Sequence, residues 1–387
     1  MMKNQSQNPN SGFPGSLKLR LTQRSKEGAL RTLKSSNPDL IDFSSNDYLG
    51  FSRNKLISEL ASDKLNEYSS DLHGATGSRL LTGNYKMIED FESYLSLYYN
   101  SEASTVFNSG YDANLGLISS VALRGHLILY DELSHASIRD GISLSNAKAF
   151  KFQHNNLEDL EQKVLKFKDQ FDTLYVITEH VFSMDGDEAD VISIVNLCKQ
   201  YNALLILDEA HSLGTLSRKG VEITENDIFA RIVTFGKSFG SHGAVVLGSS
   251  ELKQYLINFA KSFIYTTAPG VHSTARNWAS HLYLESHSED FENLKSNISC
   301  FVNHVKDYNL QPYFIKSSSA IQSCVIGGND KVKSISDHLQ QEGFDVRPIL
   351  SPTVPKGKER LRFCLHSYNT EEEISKSLSE LHKLLNP

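Results

Sequence analysis

The run Ala203-Leu204-Leu205-Ile206-Leu207, followed at once by Asp208-Glu209-Ala210-His211, decides how this chain is read. A short, wholly apolar run has the length of a buried strand. An acid at its end is costly to bury unless it meets a cation. Upstream, Val191–Tyr201 has helical spacing, and residues 173–178 form another apolar run of strand length. Further out, Leu157–Phe167, 112–123 and 85–97 read as helices, while 126–130 and Ala103–Phe107 read as strands. Downstream, 231–235 and 244–247 add two more strands. Strands and helices in alternation predict an α/β fold with a mostly parallel sheet covered on both faces.

Past residue 275 the rhythm changes. A long polar helical region, 271–308, precedes a strand at 320–326, a helix at 331–341, strands at 345–349 and 360–365, and a last helix at 370–385. This order predicts a smaller α+β unit. The expected division is a leader and arm over 1–45, a large α/β domain over 46–275 and a small C-terminal domain over 276–387. Residues 1–15 are polar and rich in Asn, Ser and Pro, and read as a disordered leader with no secretory core.

The 387 residues carry 39 basic and 46 acidic side chains, a net charge of −7, which gives no support to a nucleic-acid surface. No apolar stretch approaches the roughly 20 residues that span a bilayer. Cys198, Cys300, Cys324 and Cys364 are scattered and show no CxxC or Cys/His pairing, so no metal is expected, and reduced thiols suit the cytoplasm.

In an open α/β sheet, ligands bind beyond the carboxyl ends of the strands. Every predicted strand here ends in polar or ionisable groups: Asn108-Ser109-Gly110-Tyr111, Asp131 to His135, Glu179 to Asp187, Asp208 to His211, and Gly236-Lys237. Asp208 could hold a protonated pyridine nitrogen, with His211 on a ring oxygen; equally, it could cap a helix. Lys237, flanked by Gly236 and the Gly240 and Gly243 turns, could be a buried amine whose lowered pKa favours attack on an aldehyde, or a loop lysine. Amides of Ser109, Gly110 and Tyr111 at a helix start could hold a phosphate. Thr266 and Thr267 offer hydroxyls, or are ordinary strand threonines. His135 is either a ring stacked on the cofactor or a core histidine satisfied near Asp131 or Asp140.

Taken together, Asn46-Asp47-Tyr48-Leu49-Gly50, Ser109-Gly110-Tyr111, Ser134-His135-Ala136-Ser137, Val181 to Asp187, Asp208-Glu209-Ala210-His211, Thr234-Phe235-Gly236-Lys237 and Arg360-Leu361-Arg362 resemble the α-oxoamine synthases, a branch of the fold-type I pyridoxal-phosphate enzymes. The matches run in order over about residues 42–367. The resemblance implies that pyridoxal 5'-phosphate is held on Lys237, with Asp208 on the ring nitrogen. His211 and Ser183 would contact the ring oxygen, His135 would stack on the ring, and Glu179 would lie among the cofactor contacts. Thr234, Ser109, Gly110 and Tyr111 would hold the phosphate, with Thr266 and Thr267 reaching it from a second subunit of a homodimer. Arg362 would take the amino-acid carboxylate with Asn46 nearby, and Arg31 and Thr353 would flank the acyl donor.

The implied activity is decarboxylative condensation of an amino acid, alanine by this reading, with a pimeloyl thioester of coenzyme A or acyl-carrier protein. Sister condensations using glycine or serine, and a catalytically silent partner subunit on the same fold, are the alternatives. Three stretches depart from the family pattern: His180, where Gly or Ser is usual, Leu365-His366-Ser367-Tyr368-Asn369, and the segment before Asn46, which is short. All are expected toward the acyl and carboxylate ends of the site.

Overall fold

A computed structural model describes residues 12–33, 35, 37–68, 72–221 and 227–386. Its strands are β1 (Ile41–Asp42), β2 (Ala103–Phe107), β3 (His126–Asp131), β4 (Lys148–Phe152), β5 (Thr173–Glu179), β6 (Leu204–Asp208), β7 (Ala230–Thr234), β8 (Ala244–Gly248), β9 (Ile321–Val325), β10 (Phe344–Asp345), β11 (Arg347–Ile349) and β12 (Arg360–Cys364). Seven of them form one sheet in the order β2-β8-β7-β6-β5-β3-β4. Strands β3 to β7 run parallel, and β8 is antiparallel to both of its neighbours.

Alternation along each strand explains the layering. Ile128, Ile177, Ile206 and Ile232 face one apolar cluster, while Leu127, Leu129, Val176, Leu205 and Leu207 face another. The sheet is therefore buried on both sides, as its near-continuous apolar runs require. A third cluster joins Phe43, Tyr48 and Phe51 to Phe301, Phe363 and Leu378 of the C-terminal unit, so the 43–51 segment packs with the chain's far end. Backbone bonds Cys364 N to Phe43 O and Ser367 N to Tyr48 O, both 2.8 Å, fix that docking.

The C-terminal unit has an antiparallel sheet in the order β11-β12-β9, and β1 pairs in parallel with β10. Several boundaries differ from expectation. Asp208, expected after its strand, is the last residue of β6. The region 271–308 is two helices, Val271–Ser286 and Glu289–Asp307. Edge strand β4 was given no element by the sequence, because Lys148-Ala149-Phe150-Lys151-Phe152 mixes charge into a short run. Of the expected leader, residues 1–11 lie outside the described residues, whereas Gly15–Lys26 is a helix with no buried residue. Cys300 and His304 sit one helical turn apart, and with Glu371 their ligating atoms lie within 4.8 Å of one another, correcting the expectation of no Cys/His pairing. Among the described residues no helix is long and apolar enough to cross a membrane.

Candidate active site

Parallel strands end on the same edge of a sheet, and the register brings particular side chains together there. Glu179 and Asp208 are direct partners at the ends of β5 and β6. Thr234, closing β7, pairs with Ala244, which pairs in turn with Phe107 at the end of β2. Lys237 follows Thr234 by three residues. It is half-buried, and loss of hydration pulls its ammonium down to about 8, opposed by the carboxylates of Asp208 and Glu179 and assisted by Arg362. An amine that feels these three charges is at the centre of the site. Burial, then the Asp208 charge, pushes the Glu179 carboxyl up to about 8.

Asp208 is 5% exposed. Its Oδ1 accepts from Ala210 N at 2.9 Å and its Oδ2 from Asn114 Nδ2 at 2.7 Å. The same Asn114 amide donates to Ser137 Oγ (3.1 Å), which meets His135 Nδ1 at 2.8 Å. Because Ser137 N also donates to Nδ1 (3.2 Å), that nitrogen is an acceptor, and a neutral ring carries its proton on Nε2. His135 N donates to Glu179 Oε1 at 2.6 Å. The hydrogen bonds of the imidazole go to Ser137, and Asp140 acts on it through its charge. Burial lowers its pKa below the usual imidazole value.

His211 is buried and held neutral by desolvation beside Lys237 and Arg362. Its Nδ1 lies 2.8 Å from Tyr48 Oη, which donates to Asn46 Oδ1 at 3.2 Å. Arg362 closes the ring of contacts: Nη2 donates to Asn46 Oδ1 (3.2 Å) and Nη1 to the Ser183 carbonyl (2.9 Å). Ser183 gives its carbonyl to this ring of contacts. His366 stacks on Tyr48 and lies 3.0 Å from Ser45 Oγ. The departure at 365–369 thus buttresses the tyrosine that holds His211.

At the other end of the site, Ser109 caps the helix Gly110–Val121 by accepting from Asp112 N at 3.0 Å. A Cβ on Gly110 would sit 3.5 Å from Thr234 Cβ and Oγ1, filling the space between the helix start and that threonine. Bare backbone N–H groups at a helix start form a cradle suited to an anion. Tyr111 can offer only its amide there, since its hydroxyl goes to Asp140. Asn108 Nδ2 donates to Thr266 Oγ1 (3.0 Å) and Thr267 O (2.8 Å) within the chain, beside this cradle and in a loop, not a strand.

Arg31 and Thr353 also meet, Nη2 to Oγ1 at 3.3 Å, but both are exposed, and among the described residues no hydrogen bond ties them to the cluster above. His180 is corrected. It alternates away from Glu179 and feels Glu209, Glu188 and Arg231 instead, with a buried Nδ1 that has no partner among the described residues. Sequence reasoning missed Asn114 and Ser137, and gave Tyr48 no role. The signal for Asn114 was a polar residue amid Ala113, Leu117 and Ile118 in a buried helix.

The residues fit pyridoxal 5'-phosphate. A lowered-pKa lysine, a carboxylate with acceptor capacity to spare, an imidazole beside them and an anion cradle at a helix start match the ring's aldehyde, nitrogen, face and phosphate. Fold and site define a pyridoxal-phosphate enzyme. Residues 38–381 match the family of class I and II aminotransferases, and the chain belongs to it.

It is 35% identical over 394 residues to 8-amino-7-oxononanoate synthase of Emericella nidulans, covering 93% of this chain and 92% of that one. A Methanococcus vannielii relative provisionally given the same name is 36% identical over 379 residues, covering 96% and 99%. Among solved structures, Sphingomonas wittichii serine palmitoyltransferase superposes with a TM-score of 0.84 at 25% identity, covering 98% of both chains. Francisella tularensis 8-amino-7-oxononanoate synthase gives 0.74 at 28%, covering 90% and 98%. Within its family the chain is a pyridoxal-phosphate acyltransferase of the α-oxoamine synthase group.

Proposed function

We propose that this enzyme condenses L-alanine with a pimeloyl thioester to give 8-amino-7-oxononanoate, carbon dioxide and free thiol, a step of biotin biosynthesis. The observation that carries the reading is the convergence of Lys237, Asp208 and Arg362 on one site, in a chain about 35% identical to relatives of that name. The bound cofactor supplies an electron sink for the substrate Cα. Lys237, neutral above about pH 8, takes the Cα proton at Nζ and later returns one. Asp208 would face the ring nitrogen of the cofactor and keep it protonated. His135, held by its Ser137 and Glu179 contacts, would pack against the ring. Arg362, steered by Asn46 and Ser183, orients the carboxylate. At the substrate, the Cα–H bond breaks, a C–C bond forms to the thioester carbonyl, the C–S bond breaks, and the carboxylate leaves as carbon dioxide.

The working unit in this reading is a cytoplasmic homodimer. In it, Thr266 and Thr267 of one copy reach the phosphate held by the other, and the exposure of the neighbouring Tyr265 supports this. The thiol carrier is coenzyme A or acyl-carrier protein. A second reading, condensation of serine with a longer acyl thioester, is favoured by the close superposition on serine palmitoyltransferases. Mass analysis of products from alanine, glycine and serine with a panel of thioesters tests both. Product from serine alone would overturn the alanine assignment.

A further inference from the structure

We propose that His154 is a positioning residue for the substrate carboxylate, pinning the 181–188 loop so that Ser183 aims Arg362. The proposal rests on the carboxylate role given to Arg362 above.

His154 lies two residues beyond edge strand β4 and bridges two acids far apart in sequence. Its Nδ1 is 2.9 Å from Asp131 Oδ1, and its Nε2 is 2.7 Å from Asp187 Oδ2. Carboxylates cannot donate when ionised, so a ring that satisfies both must carry protons on both nitrogens. Those bonds hold its pKa up, at about 9, against burial. Asp131, fully buried at the end of β3, is anchored by Leu133 N (2.8 Å) and Asn155 N (2.9 Å). Asn155 reinforces the bridge: its Nδ2 donates to Asp187 Oδ2 (2.8 Å) and Glu188 O (3.2 Å). The ring of Phe182 stands edge-on to His154 at 4.4 Å. The large sheet thus grips one flank of the loop through His154.

The other flank belongs to the small sheet. Ser323 Oγ donates to Met184 O (2.7 Å), and Ser317 and Ser319 Oγ donate to Gly186 O (2.7 and 2.8 Å). Arg360 pairs with Asp185. Gly186 has φ +81°, and a Cβ there would fall 2.1 Å from Ile321 O, so loop and sheet touch backbone to backbone. The loop also closes on itself, Phe182 N to Asp187 O at 3.0 Å and Gly186 N to Phe182 O at 2.8 Å. A stiff loop fused to the small sheet transmits the position of Asp187 to the Ser183 carbonyl, and hence to Arg362. Through it, His154 sets where the small-sheet arginine stands relative to Lys237.

The test compares cofactor-loaded wild type with His154→Gln, whose single amide can serve only one of the two carboxylates. Alanine and alaninamide, which lacks the carboxylate, are titrated by the change in cofactor absorbance. His154→Gln is expected to keep cofactor binding, to weaken alanine about tenfold and to leave alaninamide nearly unchanged, the size of one lost charge-assisted contact. Combined with Arg362→Ala, it should add little further. Equal weakening of both ligands, or an unchanged ratio, overturns the proposal. If His154→Gln unfolds, Asp187→Asn is titrated in the same way and faces the same criterion. If wild type responds to glycine or serine instead, the acid and amide of that amino acid are used. A wrong substrate is thereby told apart from a wrong role for His154.

Discussion

Replacing Asp208 by Asn removes one charge and keeps the shape. The side chain sits where two donors already point at it, Ala210 N at 2.9 Å and Asn114 Nδ2 at 2.7 Å. An amide can offer its oxygen to only one of them, so its NH2 confronts the other donor, or Asn114 turns and disturbs Ser137 and His135. The larger effect is electrostatic. At 5% exposure an effective dielectric near 20 applies, and a charge pair about 4 Å apart is worth about 4 kcal/mol. If that interaction keeps the ring nitrogen protonated, its loss slows turnover by about a thousandfold. The assay is thiol release at saturating alanine and thioester, with cofactor content matched by absorbance. Removing the charge also relieves Glu179, whose carboxyl should then titrate below its present value near 8. Turnover within tenfold of wild type would refute the assignment of Asp208 to the ring nitrogen.

Two further outcomes follow from the same geometry. In cofactor-free protein the depressed Lys237 is neutral above about pH 8 and protonated below it, so the rate of cofactor capture should rise roughly tenfold per pH unit up to about 8 and then level off. A flat stopped-flow absorbance profile between pH 6.5 and 9 would contradict a buried amine as nucleophile. Gly110→Val places branched carbons in the gap beside Thr234, where a Cβ would already be in van der Waals contact at 3.5 Å, and should weaken cofactor affinity about tenfold or more by equilibrium dialysis. Unaltered affinity would move the phosphate elsewhere.

The linear order of residues was enough to give the alternating architecture. Runs such as 203–207 have the length and apolar character of strands in a sheet covered on both faces. It also gave the strand-end groups, because polar residues at the end of a buried run have few satisfactory surroundings. Lys237, Asp208 and His211 were legible for that reason, whereas Arg362, in the middle of β12, came only through the family resemblance. Tertiary structure alone decided how they are held. Register sets Glu179 against Asp208. Helix packing brings Asn114 between Asp208 and Ser137. The Phe43–Phe51 segment reaches the C-terminal sheet so that Tyr48 can meet His211. Sequence spacing hid that His180 faces away from the site, and that His154 joins Asp131 to Asp187. Local pattern determines which side chains are buried. Pairing between distant segments depends on strand order and loop path, which arise only when the whole core packs.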